Sequence, residues 1–303
     1  MLQQLVNGIS LGAMYALIAL GYTMVYGVLR LINFAHGEVF MVGAFAGLAA
    51  LTVLHLPLPL AVLIAMVAAA LLGVVIERGA YRPLRAAPRL AALITAIGVS
   101  LLLQNLGVIF LGAAPRTYPP AIKPDPIPWP QKHLALVVTQ QQVVTVAATA
   151  AILILLHLIV ARTKVGKAMR AVSEDRQAAQ LMGINPDRII SFTFCLGSAI
   201  AGAGGVFYGV YYGSVDPLMG FMPGIKAFVA AVLGGIGSIP GAMLGGVLMG
   251  LVETGVSSVT LHVSPSVTLS GSTLRDAVAF AVLITILLVR PTGLLGRAGR
   301  EKV

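Results

Sequence analysis

GIKAFVAAVLGGIGSIPGAMLGGVLMGLVE, residues 224–253, is apolar throughout apart from Lys226, Glu253 and a Ser238-Ile239-Pro240-Gly241 break at its middle. The break leaves two arms of about 14 residues, each about 21 Å long at about 1.5 Å per helical residue. Neither crosses a hydrocarbon core of about 30 Å. Broken helices are tolerated at membrane depth where protein or a water-filled cavity satisfies the freed backbone groups. The segment therefore predicts a re-entrant or two-half-helix element lining an interior; the competing reading is one long tilted helix kinked at Pro240. Gly237, Gly241 and Gly245 recur every fourth residue, as do Gly246 and Gly250, and Gly205 and Gly209. This small-xxx-small spacing lets helix backbones approach closely, so packing is favoured over direct substrate contact.

Outward from this segment the chain has the same character. Hydrophobic residues make up 58% and charged residues 10% of 303, and mean hydropathy is +0.96; a soluble domain carries about 25% charge. Seven further apolar runs, approximately 5–29, 33–54, 58–76, 91–111, 141–161, 189–212 and 274–290, are each long enough to read as a span. The expectation is an all-α polytopic membrane protein of about eight membrane elements in one domain over 1–303. Met-Leu-Gln-Gln lacks the basic start of a removable signal peptide, so the first run is expected to stay as a helix. Cys195 has no partner for a disulfide and lies in an apolar run, as a packing residue would.

Charge orients the bundle. Arg30; Arg78, Arg82, Arg85 and Arg89; Arg162, Lys164, Lys167, Arg170, Arg176 and Arg188; and Arg290, Arg297, Arg300 and Lys302 account for 15 of 20 basic residues. They fall in loops on one side, which the positive-inside rule places in the cytoplasm. The proline-rich loop of about 112–140 holds only Arg116, Lys123 and Lys132, with Tyr118 and Trp129 as its aromatics, and is expected outside. The N-terminus is then outside and the C-terminus inside, a parity that works only if 224–253 contributes zero or two crossings. Clustering of charge between apolar runs also argues for membrane topology over nucleic-acid binding.

Enzymatic motifs fail. Gly166-Lys167 is followed by Ala168 and preceded at 161 by alanine, so no phosphate-binding loop forms, and Pro240 replaces the third glycine of a dinucleotide fingerprint. The five histidines show no ligand spacing. Polar residues inside the membrane are functional candidates by default: Asn33, His36 and Glu38 in LINFAHGEVF, and Gln104 and Asn105 within the fourth run. Asn33 is a possible N-cap, with Glu38 near the first turn; a capped helix end and a gating or pathway role both fit. His36 and Glu38, two apart, point about 200° from each other on a helix, which disfavours an embedded catalytic pair. Lys226 and Glu253 read as interhelical anchors, and Arg275 and Asp276 as interfacial.

The polar stretch GKAMRAVSEDRQAAQLMGINPDRI, residues 166–189, places Met169, Val172, Ala179 and Met182 near one helical face with Arg170, Glu174, Asp175 and Arg176 off it. Gly183 is a candidate C-cap, and Asn185-Pro186 can start the next helix. Mixed charge favours docking on a partner over lying on lipid.

Gln177-Ala178-Ala179 followed by Gly183 resembles the Glu-Ala-Ala-x-x-x-Gly coupling loop of ABC importer permeases, with Gln in place of Glu. In order, YALIALGYTMVYG, INFAHGE, ERGAYRPLR, MGINPDRI, KAFVAAVLGGIGSIPGAMLGG and VRPTGLLGR resemble the LivH family, the H-type permeases of bacterial branched-chain amino-acid ABC importers. The resemblance implies an importer-permease fold in the inner membrane, paired with a second, M-type permease. Two cytoplasmic ATPases would carry the ATP and Mg, and a periplasmic binding protein would deliver leucine, isoleucine or valine. No cofactor is implied on this chain itself. The coupling loop, about 162–188, would face the ATPases through Glu174, Asp175, Gln177, Ala178, Ala179 and Gly183. Rival expectations are an importer for urea, an amide or a sugar, and an ion-driven transporter or channel.

Overall fold

The computed structural model describes residues 2–85, 87–122, 125–127, 137–264 and 267–296. Lys123, Trp129, Lys132, Arg297, Arg300 and Lys302 lie outside the described residues. Six helices are long and apolar enough to cross a membrane. They are α1 (Leu2–Leu29), α3 (Leu58–Ile76, continued by a π-helical turn Glu77–Tyr81), α4 (Arg89–Leu111), α5 (Gln140–Arg162), α8 (Pro186–Tyr212) and α10 (Ile239–Ser257). Shorter helices complete the bundle: α2 (His36–Thr52), α9 (Phe221–Gly234) and α11 (Arg275–Val289), with α6 (Lys164–Glu174) and α7 (Arg176–Leu181) between α5 and α8.

The broken segment forms as two helices. Ser238 caps α10 by accepting from the Gly241 N–H at 3.2 Å, Pro240 sits in the first turn, and Gly235 and Gly237 take positive φ values of 106° and 95° in the turn. Gly241 packs on Gly234 and Gly245 on Ala230, the pairing of an antiparallel hairpin. A single kinked helix is thereby excluded. Two expectations change. The arms are 14 and 19 residues, so α10 runs past Glu253 and is long and apolar enough to cross by itself. Gly237 is a turn glycine rather than part of a packing stripe, because its φ region is costly for residues with a β-carbon.

α1 is almost wholly buried, whereas α3, α4 and α5 turn most of their surface outward. Its closest partner is α10. A β-carbon at Gly12 would lie 2.6 Å from Val247 Cα, and one at Gly246 the same distance from Ala16 Cα, while Gly250 abuts the backbone of Gly12 and Gly8. Gly205 packs against Phe40 and Ala44 of α2, and Gly209 against the Tyr118 ring, so the remaining spaced glycines serve packing as read.

α2 departs from its expected span. It has 17 residues, and its N-cap is Ala35, not Asn33. Arg30, with φ of 55°, ends α1, and residues 30–35 turn back along it until His36 lies against Gly21. Gly21 is eight residues from the α1 terminus, or about 12 Å at about 1.5 Å per residue. α2 thus starts inside the bundle, and Asn33 instead closes an Asx turn by accepting from the Ala35 N–H at 3.1 Å.

The polar loop also divides where one helix was expected. Asp175 has extended backbone and is at once the last cap of α6 and the first of α7, its carboxylate accepting from the N–H groups of Gln177 and Ala178. Met169, Val172 and Ala179 are buried as read, but Met182 is 82% exposed because α7 leaves at a new angle. Gly183, with φ of 82°, follows α7, and Asn185 caps α8 with Pro186 behind it.

One end of the bundle gathers the α1 terminus, the α3–α4 loop, α6–α7, the α9–α10 turn and residues 290–296. Leu294 and Leu295 there donate to Leu233 and Gly234 carbonyls. Small antiparallel pairs lie at the opposite end, β1 (Arg116–Thr117) with β2 (Ser214–Val215), and β3 (Thr260–Ser264) with β4 (Val267–Ser270).

Candidate functional site

Two short helices meet inside the bundle at their N-termini. Gly37 of α2 lies against Gly220 and Gly224 at the start of α9, where a β-carbon on Gly224 would be 3.0 Å from Gly37 Cα. Bare glycine on both sides permits that contact. Glu38 is 1% exposed; its Oε1 accepts from Gln104 Nε2 at 2.8 Å and from Ser100 Oγ at 3.3 Å, both on α4. Its Oε2 has no hydrogen-bond partner among the described residues and points at Gly220, 2.7 Å from where a β-carbon would stand. His36 is equally buried, stacks edge-on against Tyr22 at 4.8 Å between centroids, and has neither ring nitrogen hydrogen-bonded among the described residues. Asn33 Oδ1 also accepts from the Tyr81 hydroxyl at 3.0 Å, linking this junction to the end of α3. Asn105 does not join it: its amide donates to Leu101 of its own helix, on the outward face.

A second polar group ties the hairpin together. Lys226 Nζ lies 2.8 Å from Glu253 Oε1 and 2.9 Å from Asp276 of α11, and Glu253 Oε2 accepts from the Tyr15 hydroxyl at 2.7 Å. Four helices converge on one buried charge pair. Sequence reading named Lys226 and Glu253 separately; their antiparallel register brings them together.

The basic end carries the third group. Arg85 bridges Glu77 and Asp187, Arg82 contacts Asp187 at 2.6 Å, and Ser191 donates to Glu77 at 2.6 Å. The start of α8 is thereby fastened to the end of α3. Arg176 of α7 donates to the terminal α1 carbonyls Leu29, at 3.2 Å, and Val28. Burial, with the nearby Arg85 and Arg30 charges, lowers the Arg176 guanidinium from its ordinary value. A cavity of about 500 Å³ between these residues is lined by Arg85, Arg176, Gln180, Asn185 and Asp187 among others.

Of the residues expected to face a motor, Glu174, Asp175, Gln177, Ala178 and Gly183 are exposed, whereas Ala179 is buried and packs inward. Leu181 and Met182 were not named with them. They are 88% and 82% exposed at the tip of α7, and the signal was available: two large apolar residues directly before a Gly C-cap.

Comparison with known proteins places these features. The family described as branched-chain amino acid transport system / permease component matches residues 4–287. The chain is 44% identical over 310 residues to the high-affinity branched-chain amino acid transport system permease protein BraD of Pseudomonas aeruginosa, covering all of this chain and 98% of that protein. It is 43% identical to LivH of Escherichia coli K12, over all of this chain and 97% of that one. A fructose import permease, FrcC of Rhizobium meliloti, is 32% identical over 34% of this chain and 30% of its own length. The chain belongs to the branched-chain amino acid transport system permease family.

Proposed function

We propose that this chain is the H-type permease subunit of an ATP-driven importer that moves leucine, isoleucine and valine across a bacterial inner membrane by alternating access. The observation that carries the substrate class is full-length likeness to two branched-chain amino-acid permeases, against a one-third match to a sugar permease. The basic end faces the cytoplasm, since short cytoplasmic loops retain Lys and Arg. A second permease completes the path, a periplasmic protein delivers substrate, and ATP with Mg is handled by two separate ATPase subunits. Radiolabelled leucine uptake by a knockout carrying the complete operon tests this reading. Uptake of urea but not leucine would refute the substrate, and transport by the purified chain alone in liposomes would refute the ATP-driven mechanism.

The coupling element is α6–α7. It is anchored to the bundle by Arg176 on the α1 terminus and by buried Met169, Val172 and Ala179, so a push on α7 is delivered to the central helix. Leu181 and Met182 are the apolar tip that would enter an ATPase groove, with Glu174, Asp175 and Gln177 around it. Leu181→Asp with Met182→Asp is expected to reduce binding-protein-stimulated ATP hydrolysis about tenfold or more, as loss of about 1.4 kcal/mol of docking would. Membrane insertion should be intact, because neither side chain is packed. Wild-type turnover in that double variant, or in Gly183→Pro, would show that another loop couples.

A further inference from the structure

We infer that Glu38 Oε2, at the meeting point of the α2 and α9 N-termini, is the contact for the ammonium group of the amino acid as it passes through the membrane. This deepens the reading of the chain as an amino-acid permease and rests on it.

The carboxylate is built into the interior at 1% exposure, and its hydrogen-bond donors among the described residues, Gln104 and Ser100, are neutral and both act on Oε1. That arrangement fixes the side chain while leaving Oε2 free and aimed into the α2–α9 contact. A buried charge is costly unless paired, and an ammonium is the partner this oxygen lacks. α2 and α9, of 17 and 14 residues, end inside the bundle with their first turns already bonded: the Ala35 and His36 N–H groups donate to Asn33, Glu38 N–H to Ala35, Phe221 N–H to Leu218 and Gly224 N–H to Gly220. The junction therefore offers a negative group for the cationic end of an amino acid, about 12 Å in from the basic end by helical rise. Gly37 meets Gly220 and Gly224 there, with the Tyr22 hydroxyl beside Gly224, so a displacement of α9 would open the space beside Oε2. Specificity for the apolar side chain is not supplied here.

The test uses the complete importer in proteoliposomes. Glu38→Gln keeps the size and the Gln104 and Ser100 contacts but removes the charge; leucine uptake is expected to fall about 30-fold or more, as when one member of a buried charge pair is neutralised. Unchanged uptake overturns the proposal. Wild-type protein gives a second readout should that variant fail to assemble. Labelling of Glu38 by dicyclohexylcarbodiimide during ATP turnover, read by mass spectrometry, is expected to be slower with leucine-loaded than with empty binding protein. Equal labelling, or none, overturns the site. Failure of the wild-type importer to take up leucine would instead remove the substrate reading.

Discussion

Lys226→Met is expected to destabilise the protein by about 3–5 kcal/mol, the usual consequence of leaving one member of a buried ion pair behind. Glu253 is 3% exposed and would keep only the Tyr15 hydroxyl at 2.7 Å. Glu253→Gln is expected to cost less, because Asp276 at 2.9 Å still neutralises the lysine. Combining the two substitutions should recover most of the loss, since no buried charge is then stranded; Asp276, left without the lysine, is half exposed. Thermal unfolding of the detergent-solubilised protein, followed by size-exclusion chromatography, gives the ranking. Equal losses from the two single variants, with additive loss in the double, would show that the pair does not hold the hairpin.

Gly250→Val should be comparably severe by a steric route. A β-carbon there would run into the backbone of Gly12 and Gly8, and backbone cannot rotate out of the way. The α1–α10 crossing must open, at about 3 kcal/mol or more, the upper range for overpacking. Gly255→Ala on the same helix meets nothing within 4 Å and is expected to be neutral or stabilising by about 0.5 kcal/mol. Yield of monodisperse protein separates the two; equal yields would mean that α1 and α10 are not held at this distance.

How far sequence led depended on whether a feature was local. The hairpin break was legible because Ser238, Pro240 and the glycines each carry a backbone preference independent of surroundings. Runs such as 58–76 and 91–111 were legible because hydropathy alone defines them. The start of α2 was not: LINFAHGEVF reads as a membrane entry, and only the return of residues 30–35 along α1 shows that His36 lies deep. Glu38 was named as a candidate, but its pairing with Gln104 joins residues 66 apart, and a single sequence contains no register between α2 and α4. The division at Asp175 was readable in principle, since aspartate is a strong N-cap, but the apolar spacing through Met182 hid it.

The shortness of α2 also bears on biosynthesis. Its main neighbour is α8, whose glycines Gly202 and Gly205 receive Gly43, Phe40 and Ala44. About 130 residues separate Thr52 from Pro186, a delay of roughly 7–26 s at about 5–20 residues per second. For that interval a 17-residue helix bearing Glu38 must be kept at the translocon or by a chaperone, without the groove that later encloses it. Substitutions that weaken α2 against α8 should therefore appear first as nascent chains degraded before completion, earlier than any defect in the finished transporter.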